Sequence, residues 1–242
     1  RFAFLLESLS RVDVIITASR FLKDLFIQYG VPEERIQFSP YGFDTEWAKA
    51  SPTKHVTDTL RLGFIGQLIP MKGPDILIRA VRALGQDARV TLRIYGNLEK
   101  DPEYGQELLA LAADDPRISF MGTFPHHSIG EVLAGIDALV VPSTWYDFPL
   151  IIPSSFATHT PVIATDMPGM NELVMDGVDG LLFKRGSVDA LAHQIRRLLD
   201  EPALQETLKQ QITPVKTVEA MRDEYVTLYR AVTAAAVGSS GS

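Results

Sequence analysis

Lys72 has the clearest chemical setting in the chain. It stands in the stretch 66–73, Gly-Gln-Leu-Ile-Pro-Met-Lys-Gly, between an apolar run and an amphipathic one that reads as a helix. A helix start disfavours a cation unless an anion shares the site, so this placement points to a phosphate ligand; a solvated lysine in an ordinary strand-to-helix loop is the alternative. Gly66 allows close backbone approach, but neither GxxxxGK[ST] nor GxGxxG is present. Two loop acids, Asp147 and Glu172, could face the same crevice, although such pairs are commonly solvated. Gly96 and the Gly122-Thr123-Phe124 turn close two further apolar runs; each could admit a ligand, and each is also a normal turn. Gly169 and Met170 open a segment read as a short helix over 169–175, whose first amides could bind a phosphate or a sugar hydroxyl.

Other chemistries find little support. Zero cysteines exclude disulfides, thiolate zinc sites and a cysteine nucleophile, and fit a reducing, cytoplasmic setting. The adjacent His126 and His127 have no second cluster at metal-ligand spacing, so no metal is expected. Ser143 belongs to no GxSxG elbow and reads as a turn or cap residue. Trp145 and Tyr146 could stack on a ring, but aromatics flanking a strand are more often core.

These residues need elements to hold them. From residue 60 onward, apolar runs at 61–65, 91–95, 118–121, 138–141, 162–165 and 180–183 alternate with helical patterns near 74–84, 104–113, 128–135, 150–158, 169–175 and 188–199. Short apolar strands separated by helices predict an α/β fold, a Rossmann-like doubly wound parallel sheet covered on both faces. In such sheets ligands sit beyond the carboxyl ends of the strands. Residues 1–43 read as the end of a preceding domain: a helix over 2–9, a strand over 12–17, an amphipathic helix capped by Ser19 and a strand near 36–39. The stretch 44–59 has linker composition, 60–202 is the sheet domain, 203–236 is helical, and 237–242 has the composition of a tag-like tail.

Composition narrows the class further. The 242 residues are 46% hydrophobic and 22% charged, with a net charge of −7. The basic footprint that phosphate neutralisation requires is missing, so nucleic acid is not an expected partner. No apolar run approaches the length of a membrane span.

Taken together, several ordered motifs resemble the nucleotide-sugar-binding half of GT-B glycosyltransferases of the retaining family-four type (glycosyltransferase group 1). They are Ser-Arg-Phe-Leu at 19–22, Tyr-Gly-Phe-Asp at 41–44, the stretch 64–73, Leu-Arg-Ile-Tyr-Gly at 92–96, Val-Val-Pro-Ser-Thr-Trp-Tyr-Asp-Phe-Pro-Leu-Ile-Ile at 140–152, Thr-Pro-Val-Ile-Ala-Thr-Asp at 160–166 and Gly-Leu-Leu-Phe at 180–183. The resemblance spans roughly residues 12–235. It implies transfer of a sugar from a nucleotide donor such as a UDP- or GDP-sugar, with retained configuration and without a metal or other cofactor. Lys72 matches the family's phosphate-binding lysine, and Gln67 the position of a second cation in many members. Glu172 matches the acid near the donor sugar. Amides near Leu150 and Ile151 match those at the phosphates, and Gly122 to Phe124 the base pocket. Residues 1–43 would then be the remnant of the acceptor-side domain. The acceptor and any membrane association leave no sequence signature.

One departure concerns the paired glutamates of the family's E-x7-E motif. Gapless alignment puts Tyr146 at the first and Ser154 at the second; one deletion puts Asp147 at the first. The second glutamate normally accepts hydrogen bonds from the ribose hydroxyls. A neutral serine there predicts about tenfold or greater loss of donor affinity, since hydrogen bonds to charged groups are worth about 1.5–3 kcal/mol. Pro153 would cost about 3 kcal/mol inside a helix begun at Pro149, so that helix is expected to start late or bend. Pro168 replaces a family glycine in the sugar loop. With the acceptor domain truncated and Ser154 in place, the expectation is a chain inactive by itself, or a non-catalytic nucleotide-binding or scaffold domain derived from a glycosyltransferase.

Overall fold

A computed structural model describes residues 2–9, 11–54, 57–145 and 148–239. The chain divides into two compact units, Arg1–Asp44 with Val215–Ser242, and Thr45–Pro214. The smaller unit holds α1 (Phe2–Leu9), β1 (Ile15–Thr17), α2 (Arg20–Gln28) and β2 (Ile36–Phe38), joined by the C-terminal helix Val218–Ser239. Ser19 caps α2 by accepting from the Leu22 amide at 3.2 Å. β1 and β2 pair in parallel, and Ile15, Val31 and Ile36 form a small core with Phe26 and Ile27. Lys216 donates to Ser39 Oγ and to Glu224, fastening the C-terminal helix within this unit.

The larger unit follows the predicted alternation. Its elements are α3 (Glu46–Lys49), β3 (Leu60–Ile65), α4 (Pro74–Ala83), β4 (Val90–Tyr95), α5 (Pro102–Ala112), β5 (Ile118–Gly122), α6 (Ile129–Ala134), β6 (Ala138–Val141), α7 (Ile151–Ala157), β7 (Val162–Asp166), β8 (Gly180–Lys184), α8 (Val188–Asp200) and α9 (Pro202–Gln211); Val218–Ser239 is α10. The six strands form one parallel sheet in the order β5-β4-β3-β6-β7-β8. Parallel strands need crossovers on the faces, and covered faces allow continuous apolar runs such as the wholly buried Ala138–Val141. Leu62, Leu92, Ile94 and Ile163 pack with Leu77 and Ile78 of α4 and with Leu191 and Ile195 of α8 in one core.

The structure corrects several boundaries. No α-helix forms over 169–175. Gly169 takes the left-handed conformation at φ +86°, and the Met170 and Asn171 amides both return to the Met167 carbonyl, so the chain closes into successive turns. The 44–59 stretch contains α3, and Thr45 onward belongs to the larger unit. The 203–236 segment is interrupted between α9 and α10, where Pro214 lacks an amide; α9 belongs to the larger unit, with Leu208 in its core, and α10 to the smaller. α10 continues through Ser239, into the stretch set aside as a tail, because the Ala234–Ala236 run favours helix propagation. Only Ile15–Thr17 of the 12–17 run pairs as strand.

The amino end of the sheet carries two charged anchors. Arg61 Nε and Nη2 donate to the two oxygens of Asp137 at 3.0 and 2.7 Å, and the Arg61 amide adds a third bond at 2.9 Å. Lys54 donates to the Ile136 carbonyl at 3.0 Å and to the Thr160 hydroxyl, tying the chain before β3 to the starts of β6 and β7. Burial pushes the Lys54 ammonium down to about 7; Lys209 and Arg61 add repulsion, and Asp137 opposes them. With an unfolded value near 10.4, the folded state binds fewer protons between pH 7 and 10, so this group makes stability rise with pH in that window and adds no further change below 7. We expect Lys54→Met to flatten the dependence of thermal unfolding on pH between 7 and 9, removing on the order of 1 kcal/mol per pH unit. Parallel unfolding curves for variant and parent would contradict this.

Candidate functional site

The winding direction reverses between β3 and β6: the chain passes from β3 outward to β4 and β5, then returns to place β6 on the other side of β3. These two strands pair only at Leu62 with Ala138 and Gly63 with Leu139. Beyond that point they part, and Phe64, Ile65, Val140 and Val141 line a cavity of about 360 Å³ at the carboxyl edge of the sheet. Gly66, Gln67 and Lys72 extend one wall from the loop after β3. Ser143, Phe148, Pro149, Leu150 and Ile151 supply the other, from the loop after β6 and the start of α7.

Local backbone chemistry fixes both walls. Residues Pro70–Lys72 form a single 3₁₀ turn that ends at Gly73, whose φ of +68° is in the left-handed region. The Gly73 carbonyl then accepts the first amides of α4, from Ile76 at 3.1 Å and Leu77 at 3.3 Å. The Thr144 amide donates to the Met71 carbonyl at 2.8 Å, joining the two loops. α7 starts late, at Ile151, which makes Pro153 its third residue. An amide there has no partner within the helix, so the helix accommodates Pro153 without the interior penalty. Among the described residues no side chain caps α7, and its first turn carries no acid.

The predicted residues fall into separate groups. Gly66, Gln67, Lys72, Leu150 and Ile151 share the cavity wall, with Lys72 half-buried. Ser154 lies one turn into α7, half-buried, its hydroxyl 3.5 Å from the Leu150 carbonyl. Glu172 is exposed on the turn after β7 and does not line this cavity, and neither do Gly169 and Met170. Met170 is fully buried, and its amide donates to the Met167 carbonyl at 3.1 Å within a turn rather than standing at a helix start. Gly96, Thr123 and Phe124 lie at the same sheet edge outside the cavity wall; Phe124 packs edge-on against Tyr95 at 5.4 Å between centroids. Asp147 and Tyr146 lie outside the described residues. Trp145 is 67% exposed and therefore not a core residue. Sequence reasoning passed over Phe64, Ile65, Phe148, Pro149 and Ser143 as cavity residues. Ser143, 2% exposed, was the legible one, since its Pro-Ser pair directly follows an apolar strand.

No helix among the described residues is long and apolar enough to cross a membrane, and no cluster of three metal-ligating side chains occurs among them. The family described as "Glycosyl transferases group 1" matches residues 59–201, more than half of the chain. The chain belongs to the group 1 glycosyl transferases. It is 27% identical over 206 residues to the D-inositol 3-phosphate glycosyltransferase of Stackebrandtia nassauensis, covering 78% of this chain and 46% of that protein. The corresponding enzyme of Acidothermus cellulolyticus is 30% identical over 220 residues, covering 79% and 48%. The chain thus spans about half the length of these curated relatives. Among solved structures, Anabaena HepE in complex with UDP and glucose superposes with a TM-score of 0.77 at 22% identity, covering 91% of this chain and 64% of that one. The larger unit has the Rossmann-like sheet fold of the GT-B glycosyltransferases.

Two glycines at the carboxyl edge of this family member differ in what they tolerate. A Cβ on Gly96 would lie 2.4 Å from the Gly66 carbonyl and 2.8 Å from Leu68, so the backbones of two loops meet there. A Cβ on Gly66 would meet only the Phe64 ring, at 3.5 Å. The protein itself therefore leaves room at Gly66, which lines the cavity. We expect Gly96→Ala to cost about 1–3 kcal/mol of stability, as overpacking does, and Gly66→Ala to unfold within about 0.5 kcal/mol of the parent. Chemical denaturation of both variants checks the contrast.

Proposed function

We propose that this chain is the donor side of a retaining glycosyltransferase, binding a nucleoside diphosphate sugar at the cavity between β3 and β6. The observation that carries the reading is the presence of Lys72 in one wall of a cavity whose other wall includes the first turn of a helix that no side chain caps among the described residues. A lysine ammonium and helix-start amides are the groups that recognise a diphosphate. The binding of UDP and UDP-glucose by HepE supports a nucleotide-sugar as the ligand class. No metal is needed in this reading, because Lys72 and the helix start supply positive charge.

In the reaction, the bond between the sugar's anomeric carbon and the diphosphate oxygen breaks, the bonding electrons leave with the diphosphate, and an acceptor hydroxyl forms the new bond on the same face, its proton passing to the departing diphosphate oxygen. Charge on the leaving oxygen grows as the bond lengthens, so Lys72 stabilises the transition state more than the bound donor. Gln67 adds a neutral donor of lower strength. Glu172 would contact the donor sugar only with a ligand extending beyond the cavity wall. An acceptor-binding domain completes the enzyme, because transfer requires both substrates held in line.

Ser154 favours a second reading, a nucleotide-binding domain without turnover, because its hydroxyl approaches its own helix and carries no charge for the ribose. Titration calorimetry with UDP, GDP, their sugars and the free nucleosides separates the possibilities. Lys72→Ala should weaken diphosphates about tenfold to a hundredfold with nucleosides little affected, the range expected for a hydrogen bond to a charged group. Equal weakening of both would remove Lys72 from the phosphate role. Ser154→Glu should tighten nucleoside diphosphates about tenfold and leave 2′,3′-dideoxy analogues unchanged; α7 already accommodates Pro153, so no second substitution is required. Absence of diphosphate binding at millimolar ligand would overturn the donor-site reading.

A further inference from the structure

The two loops that form the cavity are locked to each other on either side of Lys72. Upstream, the Met71 carbonyl accepts from the Thr144 amide at 2.8 Å, and the Thr144 hydroxyl lies 3.4 Å from the same oxygen. Downstream, Gly73 sits so close to the loop after β6 that a Cβ would fall 2.3 Å from the Pro142 carbonyl oxygen and 3.1 Å from its carbon. The left-handed φ of +68° at Gly73 is a second reason for glycine. Lys72 itself ends a turn whose amides close internally, Lys72 to Ile69 and Gly73 to Pro70, each at 3.0 Å. Both anchors reach the segment Pro142–Thr144, which includes the cavity residue Ser143.

We infer that Gly73 and Thr144 form a clamp that positions Lys72 in the cavity before any ligand arrives. The inference rests on the diphosphate reading of the site and assigns to it two positioning residues that touch no ligand. Fixing residues 71 and 73 to the opposite loop sets the distance between Lys72 and the start of α7, so that one anion can engage both walls without loop closure. A lysine side chain has many rotamers, and immobilising its backbone reduces what binding must still order. Gly73→Ala forces the loops apart, because the clash is with backbone oxygen rather than with a side chain that can turn away.

The test is a double-mutant cycle on the full chain, with Gly73→Ala, Lys72→Ala and the pair, titrated with UDP and GDP and with uridine and guanosine. Thr144→Val, which keeps the amide bond and removes only the long hydroxyl contact, serves as the conservative variant. Gly73→Ala should lower diphosphate affinity about tenfold with nucleoside affinity unchanged, and in the Lys72→Ala background it should change diphosphate affinity by less than about twofold, since contacts that act through one group are not additive. Thr144→Val should bind as the parent does. A purely structural glycine would instead weaken diphosphate and nucleoside together, or weaken diphosphate further after Lys72 is gone, and either outcome overturns the clamp. Undiminished diphosphate binding by a folded Gly73→Ala variant also overturns it and leaves the donor site standing. A parent chain that binds no diphosphate overturns the donor-site reading and this inference with it.

Discussion

The site depends on the parting of two neighbouring parallel strands. β3 and β6 are bound at their amino ends by the bidentate Arg61–Asp137 pair, with both side chains largely buried, and share two register positions before separating. A ladder continued to the carboxyl edge would have filled the space where Phe64, Ile65, Val140 and Val141 now line the cavity. The reversal of winding direction makes the parting possible, because the crossover after β3 runs toward β4 and that after β6 toward β7, on the other side of the sheet order. Charge at one end of the pair and an opening at the other are complementary parts of one arrangement.

Closeness of backbone, rather than side-chain bulk, shapes the edge above the sheet. Gly96 meets the Gly66 carbonyl, Gly73 meets the Pro142 carbonyl, and the Gly96 amide donates to the Gly122 carbonyl at 2.9 Å. These contacts link the loops following β5, β4, β3 and β6 in spatial order. Loops are ordinarily the more mobile parts of a domain; here their main chains support one another, and Lys72 stands on that support.

Much of this was readable from the residues alone. The six apolar runs were legible because strands of a covered parallel sheet need no polar alternation, and Ser19 marked the start of α2, where the structure has it accepting the Leu22 amide. Pro153 left a late start or a bend of α7 open, and the structure has the late start, at Ile151. The missing helix over 169–175 was misread because its apolar spacing is helical, whereas Pro168 and a left-handed Gly169 favour turns. The cavity residues Phe64 and Ile65 were hidden for a different reason: strand divergence is a property of two distant segments together, and neither carries its signature. Gln67, Lys72, Leu150 and Ile151 share one wall system, as their motif suggested, while Glu172 and Ser154 lie outside it.

Pro153, as the third residue of α7, has a consequence for how that helix end can be stabilised. A serine or aspartate at the Leu150 cap position would normally accept from the amide of the second or third helical residue, but Ile152 already donates to the Pro149 carbonyl at 3.1 Å and Pro153 has no amide to give. Leucine stands there, 57% exposed, and among the described residues no side chain caps the helix. The first turn of α7 is thus closed by main chain and by proline, and a conventional capping side chain would find little left to bond there.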